Sequence, residues 1–305
     1  MEATNGINHK IISALKNLEK MEGPFSGLTG AYRELLHIQM EAKRTATVVE
    51  LSPDKARVRD RFREGIPLLL FEDFHPDWNQ VQAVSKQIIA WAAADADGSR
   101  ETQEELKKIG STPERLRAAA ELWYRGHSFK AFAQVLDIEL LASVVGATLK
   151  PFLSVYSELL AFRVEQESWR RNYCPVCGGA PDFSSLKEGG ARWLFCHRCD
   201  GEWLFSRIEC PYCGTRNQES LAYFSSDEQA SLYRLYVCEE CHTYIKGIDS
   251  RVGGGEVLLP LERVCTLNLD REGQRKGYEP GWTTRRCYDG FSQEPDAEEK
   301  ERRAN

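Results

Sequence analysis

Eight cysteines stand in four Cys-x-x-Cys pairs: Cys174 with Cys177, Cys196 with Cys199, Cys210 with Cys213, and Cys238 with Cys241. A turn of this kind presents two thiolates to one ion. Two such turns supply the four sulfurs of a tetrahedron, which suits zinc or a single iron. The first and third pairs read Cys-Pro-x-Cys-Gly. The proline stiffens the turn, and the glycine accepts a positive φ while its N–H points toward a ligand sulfur. The intervals between partner pairs are 18 and 24 residues, the first inside the usual range for a four-cysteine site and the second slightly long.

The pairs repeat as a unit. Cys174-Pro175-Val176-Cys177-Gly178 returns as Cys210-Pro211-Tyr212-Cys213-Gly214, and each is followed by an aromatic strand running into a second pair. The repeat favours two sequential sites, one from Cys174, Cys177, Cys196 and Cys199, the other from Cys210, Cys213, Cys238 and Cys241. A cross-braced arrangement, first pair with third and second with fourth, is the alternative. Of the remaining thiols, Cys265 reads as a small buried apolar residue and Cys287 as an incidental thiol of the tail. His197 and His242 lie in or beside the pairs, but four cysteines already complete each site, so exposed or supporting positions are expected for both.

All ten cysteines fall between Cys174 and Cys287, behind a long cysteine-free segment. The N-terminus lacks a basic start and an apolar stretch, so no secretory signal is expected and a cytoplasmic location follows. In a reducing compartment, paired cysteines mean metal ligands more often than disulfides. No apolar run reaches 18 residues, so no membrane span is expected. The net charge of −6 argues against a non-specific nucleic-acid binder.

Two kinds of element must hold these sites. Residues 1–172 read as one α-helical domain. Ile11, Ile12, Leu15 and Leu18 repeat at helical spacing. Thr29 is placed to cap a second helix, and Ser52-Pro53-Asp54 to start a third. Ile66 to Phe71 reads as a buried connection. His75-Pro76-Asp77 opens a longer helix ending near Asp97-Gly98, and Ser111-Thr112-Pro113-Glu114 opens another. From Phe129 to Trp169 two or three apolar stretches are expected, broken at Gly146 and Pro151. Residues 173–207 and 208–270 then form two small metal modules, with strands at Arg192–Phe195 and Tyr233–Val237. Trp193, Phe195, Trp203, Phe205, Tyr223, Tyr233, Tyr236 and Tyr244 interleave with the sites. They can stack on single-stranded nucleic acid, or fill the small cores such modules otherwise lack; the second use is favoured. Gly253-Gly254-Gly255 reads as a turn, and residues 289–305 as a disordered tail. The expected architecture is α with small β: a helical N-terminal domain followed by two tandem rubredoxin-like or zinc-ribbon modules.

The four pairs in this order resemble the FdhE family of formate dehydrogenase accessory proteins. The resemblance rests on Tyr173-Cys174-Pro175-Val176-Cys177-Gly178, on Leu194 to Cys199 with Trp203 and Arg207, on Cys210 to Gly214, on Cys238 to Cys241 with Tyr244-Ile245-Lys246, and on Thr266 to Asp270 with Gly277-Tyr278. It covers about residues 165–280. It implies a helical domain before two rubredoxin-like modules, two metal ions with iron favoured over zinc, and the eight paired cysteines as ligands. It also implies a cytoplasmic role in assembling formate dehydrogenase, through contact with the catalytic subunit that carries the molybdenum or tungsten pterin. A homodimer is compatible with it. No catalytic constellation stands out, and the expected role is binding rather than turnover. Two alternatives are a zinc-ribbon nucleic-acid protein using Arg192, Arg198, Arg207, Arg216 and Arg234 on phosphates, and a rubredoxin-like electron-transfer protein.

Overall fold

A computed structural model of the chain describes residues 2–20, 26–48, 55–95, 100–129, 132, 137–225, 232–253, 256–284 and 288. Among the described residues seven α-helices come first: α1 (Glu2–Lys20), α2 (Ser26–Thr45), α3 (Lys55–Glu64), α4 (Trp78–Asp95), α5 (Arg100–Ser111), α6 (Pro113–Arg125) and α7 (Ile138–Leu160). The helical stripe of α1 buries Ile11 and Leu15. Pro113 opens α6 as expected, with Thr112 before it and Gly126 at φ 69° closing it. Thr29, expected as a cap, lies buried within α2, whose first described residue is Ser26. The expected helix start at Ser52-Pro53-Asp54 and the stop at Asp97-Gly98 fall outside the described residues, as do Cys287 and the tail 289–305.

The expected breaks at Gly146 and Pro151 do not occur. One continuous helix of 23 residues, α7, runs through both. Proline removes the bond that its N–H would give to the carbonyl four residues back. Here that carbonyl is Ala147 O, and it accepts instead from Gln39 Nε2 of α2 at 2.9 Å. Gly146 lets the Trp123 ring lie against the helix: a Cβ there would stand 2.9 Å from a ring carbon. With its extension to Arg163, this helix is long and apolar enough to cross a membrane, with a mean hydropathy of 1.5. Half of it is buried, and Leu141, Leu149, Phe152, Leu153 and Tyr156 lie at the centre of the helical core at 0% exposure.

Strands β1 (Pro181–Leu186), β2 (Arg192–Cys196) and β3 (Glu202–Phe205) form one antiparallel meander. Strands β4 (Leu221–Phe224), β5 (Tyr233–Cys238) and β6 (Thr243–Asp249) form a second. The internal repeat of the sequence is therefore a structural repeat. The two meanders fuse through parallel pairing of β1 with β6, Phe183 opposite Lys246, giving the order β3-β2-β1-β6-β5-β4. A two-residue strand β7 (Glu279–Pro280) adds to β6. Helix α8 (Ser250–Gly253) ends on the first residue of the expected glycine turn, and Gly254 and Gly255 lie outside the described residues. Helices α9 (Leu259–Cys265) and α10 (Leu267–Arg275) follow, and a last turn, α11 (Gly281–Thr284), packs on β1 and β6.

Helices and sheet share an apolar core. One buried cluster runs from Ala42 and Leu69 through Tyr124 and Phe152 to Trp203 and Ile245, and includes six of the eight paired cysteines. A smaller cluster joins Ile11, Leu15 and Leu36 to Val264 of α9. The link into the sheet is anchored at its end: Trp169 Nε1 donates to Tyr173 O, and Tyr173 Oη donates to Gly65 O at 2.8 Å.

Candidate metal centres

The four cysteine turns share one backbone design. The N–H of the residue after the second cysteine donates to the carbonyl of the first: Gly178 to Cys174, Asp200 to Cys196, Gly214 to Cys210 and His242 to Cys238, at 2.9 to 3.1 Å. Each donor residue has a positive φ: 70° and 76° at the glycines, 58° at Asp200 and 52° at His242. Glycine adopts this region without strain, and Asp and His are among the residues that tolerate it best. The glycine N–H thus closes the turn rather than pointing at a sulfur as expected. The sulfurs accept instead from the residue two beyond the first cysteine, Arg198 N–H to Cys196 Sγ at 3.4 Å and Tyr212 N–H to Cys210 Sγ at 3.5 Å.

The turns meet in sequential pairs. Cys174, Cys177, Cys196 and Cys199 form one cluster, and Cys210, Cys213, Cys238 and Cys241 the other, each with its sulfurs within 4.8 Å of one another. Within the first, Sγ–Sγ separations are 3.6 Å (Cys174–Cys199) and 3.5 Å (Cys177 to Cys196 and to Cys199). Within the second, Cys210–Cys241 and Cys213–Cys238 are both 3.7 Å. A disulfide requires about 2.05 Å. A tetrahedron with metal–sulfur bonds of about 2.3 Å has edges of about 3.8 Å. The sulfurs therefore stand at ligand spacing and not at bonding distance.

Electrostatics favours the same use. Burial drives the thiols of Cys174 and Cys177 well above their ordinary value. Hydrogen bonds from Cys174, Cys177 and Cys196 hold Cys199 well below its own. Four ionised sulfurs in a buried pocket need a cation, and a divalent thiophilic ion meets that need.

The clusters differ in their surroundings. The first is fully buried, with Cys174, Cys177 and Cys196 at 0% exposure and Cys199 at 1%. The helical region grips it directly. Leu68 and Leu69 N–H donate to the carbonyls of Pro175 and Val176 inside the first turn, at 2.9 and 2.8 Å. Tyr124 Oη in turn donates to Leu69 O. Arg198 Nη1 donates to Tyr124 O at the end of α6. Lys150 of α7 donates to His197 O and pairs with Asp200 at 2.7 Å. Arg263 of α9 pairs with Asp182 and Asp200, both at 2.7 Å, and donates to Cys196 O. The second cluster draws on nearer partners: Thr243 Oγ1 lies 2.9 Å from Cys241 Sγ, Thr215 bonds Glu240, and Tyr278 bonds Glu239. Cys213 is exposed and Cys241 half-exposed.

The other candidate residues fall outside the clusters. His197 Nδ1 donates to Ala180 O at 2.8 Å, its ring stacks on Trp282, and burial holds its imidazole below the ordinary value. His242 is exposed, in the turn described above. Cys265 is only half-buried, and burial pushes its thiol up to about 11. Phe195, Trp203, Phe205 and Tyr244 are buried in the cores, whereas Tyr223 is 56% exposed. Two arginines considered for phosphate contact are internal. Arg192 and Arg198 are each 4% exposed. Arg192 donates Nη1 to Glu209 O, and its guanidinium lies 5.0 Å from the Tyr236 ring. Its Nε and Nη2 have no hydrogen-bond partner among the described residues. Arg216 pairs with Glu209 and Arg234 with Asp249, while Arg207 is exposed.

A helical domain joined to a repeated four-cysteine sheet unit defines the class: a helical protein with paired rubredoxin-like or zinc-ribbon centres. Residues 173–207 match the family described as FdhE, central domain. Among curated proteins the chain is 37% identical over 135 residues to "Protein FdhE homolog" of Aquifex aeolicus (strain VF5), covering 43% of this chain and 46% of that one. It is 28% identical over 141 residues to "Protein FdhE" of Escherichia coli (strain K12), covering 45% of each. The chain thus spans about half the length of the curated relatives it matches. The crystal structure of the FdhE protein from Pseudomonas aeruginosa superposes with a TM-score of 0.59 at 20% identity, over 90% of this chain and 92% of that one, a likeness of fold.

Proposed function

We propose that this chain is an accessory protein in the maturation of formate dehydrogenase. It binds the catalytic subunit in the cytoplasm before that enzyme is complete, and carries two metal ions on Cys174, Cys177, Cys196, Cys199 and on Cys210, Cys213, Cys238, Cys241. Its work is binding, not turnover. The observation that carries this is the FdhE central-domain match at residues 173–207, which falls on the turns of the first cluster. The resemblance favours iron, which held by four thiolates can pass one electron, whereas zinc holds the fold only.

The nucleic-acid alternative loses four of its five cations, and among the described residues only Arg207 of the five stays exposed without an ion pair. Arg192 and Arg198 are buried, and Arg216 and Arg234 are paired with carboxylates. The test is capture of tagged full-length protein from anaerobic, formate-metabolising cells, with metal analysis of the same sample. Recovery of a molybdenum- or tungsten-pterin formate dehydrogenase subunit, with two metal ions per chain, is the expected result. Repeated absence of any such subunit would remove the maturation role. Colourless protein with stoichiometric zinc would remove electron transfer.

A further inference from the structure

The two four-cysteine clusters have the same local chemistry but opposite access to solvent. The first is enclosed except where Cys199 meets a cleft. Its cysteines are 0 to 1% exposed, and its turns are tied by hydrogen bonds to the 66–70 segment, α6, α7 and α9. The nearest hollow is a cleft of about 470 Å³ between α1, α2 and α7, and Cys199 and Asp200 form part of its wall. The Lys150–Asp200–Arg263 network lies at that wall. The second cluster keeps Cys210 and Cys238 at 2% exposure but places Cys213 on the surface. Gly214, Arg216 and Gln218, which follow it, are exposed, and so are Glu239, Glu240 and His242 of the facing turn.

We propose that the two centres divide the work: the first is a permanent clamp, and the second is an exchange site that gives up and takes back a divalent thiophilic ion through Cys213. This rests on the reading that both clusters hold an ion. In the exchange an incoming acceptor attacks at the solvent face and Cys213 leaves first. The ion passes to the acceptor with its charge unchanged, and solvent balances the charge left on the cysteines. No electron moves. Access to the first centre requires the packing between helices and sheet to open. That is a larger opening than exposing one surface turn, and each 1.4 kcal/mol of extra opening cost slows exchange tenfold.

The experiment uses full-length protein loaded with zinc, and an excess of the coloured chelator 4-(2-pyridylazo)resorcinol. Total zinc is measured first. The expected result is two ions per chain, released in two phases of one equivalent each, the slower at least about tenfold behind. Cys213→Ser should abolish or greatly accelerate the fast phase and leave the slow one unchanged. Differential alkylation read by mass spectrometry should label Cys213 before Cys174, Cys177, Cys196 or Cys199. Two ions leaving in a single phase, or a Cys213→Ser change confined to the slow phase, would overturn the division of work while leaving two centres intact. Fewer than two ions per chain in correctly folded protein, judged by unchanged far-UV circular dichroism, would overturn the two-centre reading and the inference with it.

Discussion

Arg192 is a cation almost wholly removed from water, with no carboxylate partner among the described residues. A buried unpaired charge costs several kcal/mol unless something balances it. A divalent ion held by four thiolates carries a net charge of −2. Burial pulls the Arg192 guanidinium below its ordinary value, and Tyr236, Tyr212 and Cys210 oppose that pull. Arg192 lies on β2 of the first repeat, yet it bonds Glu209, the residue before Cys210 of the second. It lines the same hollow as Cys210 and Cys238, which places it to act as a counter-charge to an ion held there. Arg192→Met should therefore lower metal affinity at the second centre by about tenfold or more, as loss of an outer-shell partner does, and leave the first centre unchanged. Competition titrations on zinc-loaded protein check this; equal affinity in both proteins removes the counter-charge role. The eight cysteines were legible from the sequence because a Cys-x-x-Cys turn is local: its spacing is its geometry. Arg192 and Arg198 were not. An arginine in a strand and one inside a turn look like surface cations until the fold brings Tyr236, Glu209 and the end of α6 around them.

At the scale of elements, α7 shows how a local rule is set aside by a tertiary partner. Gly146 and Pro151 are breakers in an isolated helix. Trp123 occupies the space over the first, and Gln39 Nε2 satisfies the carbonyl freed by the second. The partners sit 23 and 112 residues away in sequence, so composition alone predicted interruption where the structure keeps one helix. Gln39→Leu should strand Ala147 O in the core and cost about 1–3 kcal/mol. In a Pro151→Ala background the new N–H can serve that carbonyl, so the same change should cost about 1 kcal/mol less. Urea midpoints of the four proteins give the coupling. Equal costs in both backgrounds would mean that Gln39 does not substitute for the missing bond. The buried connection at 66–71 was legible from its apolar run, but its use was not. The backbone bonds from Leu68 and Leu69 to Pro175 and Val176 span more than a hundred residues and leave no mark on side-chain pattern.

For the whole molecule, the helical region and the first centre form one packed body, whereas the second centre sits where the sheet meets solvent. The apolar cluster that holds Leu69, Tyr124, Phe152 and Tyr156 also holds all four cysteines of the first site, but only Cys210 and Cys238 of the second. Metal binding is folding energy wherever a ligand set is assembled only in the native state. The stabilisation from the first ion should then be felt by the helices, and that from the second by β4–β6. Two substitutions separate these. Cys177→Ser should lower the thermal midpoint of the helical far-UV signal and raise proteolysis throughout the chain, because the buried cluster left behind has three sulfurs and no stable ion. Cys210→Ser should leave the helical midpoint nearly unchanged and open residues 208–249 to protease. A helical midpoint lowered equally by both would show that the sheet transmits loss of either ion through the β1–β6 pairing, and that the two repeats melt as one unit.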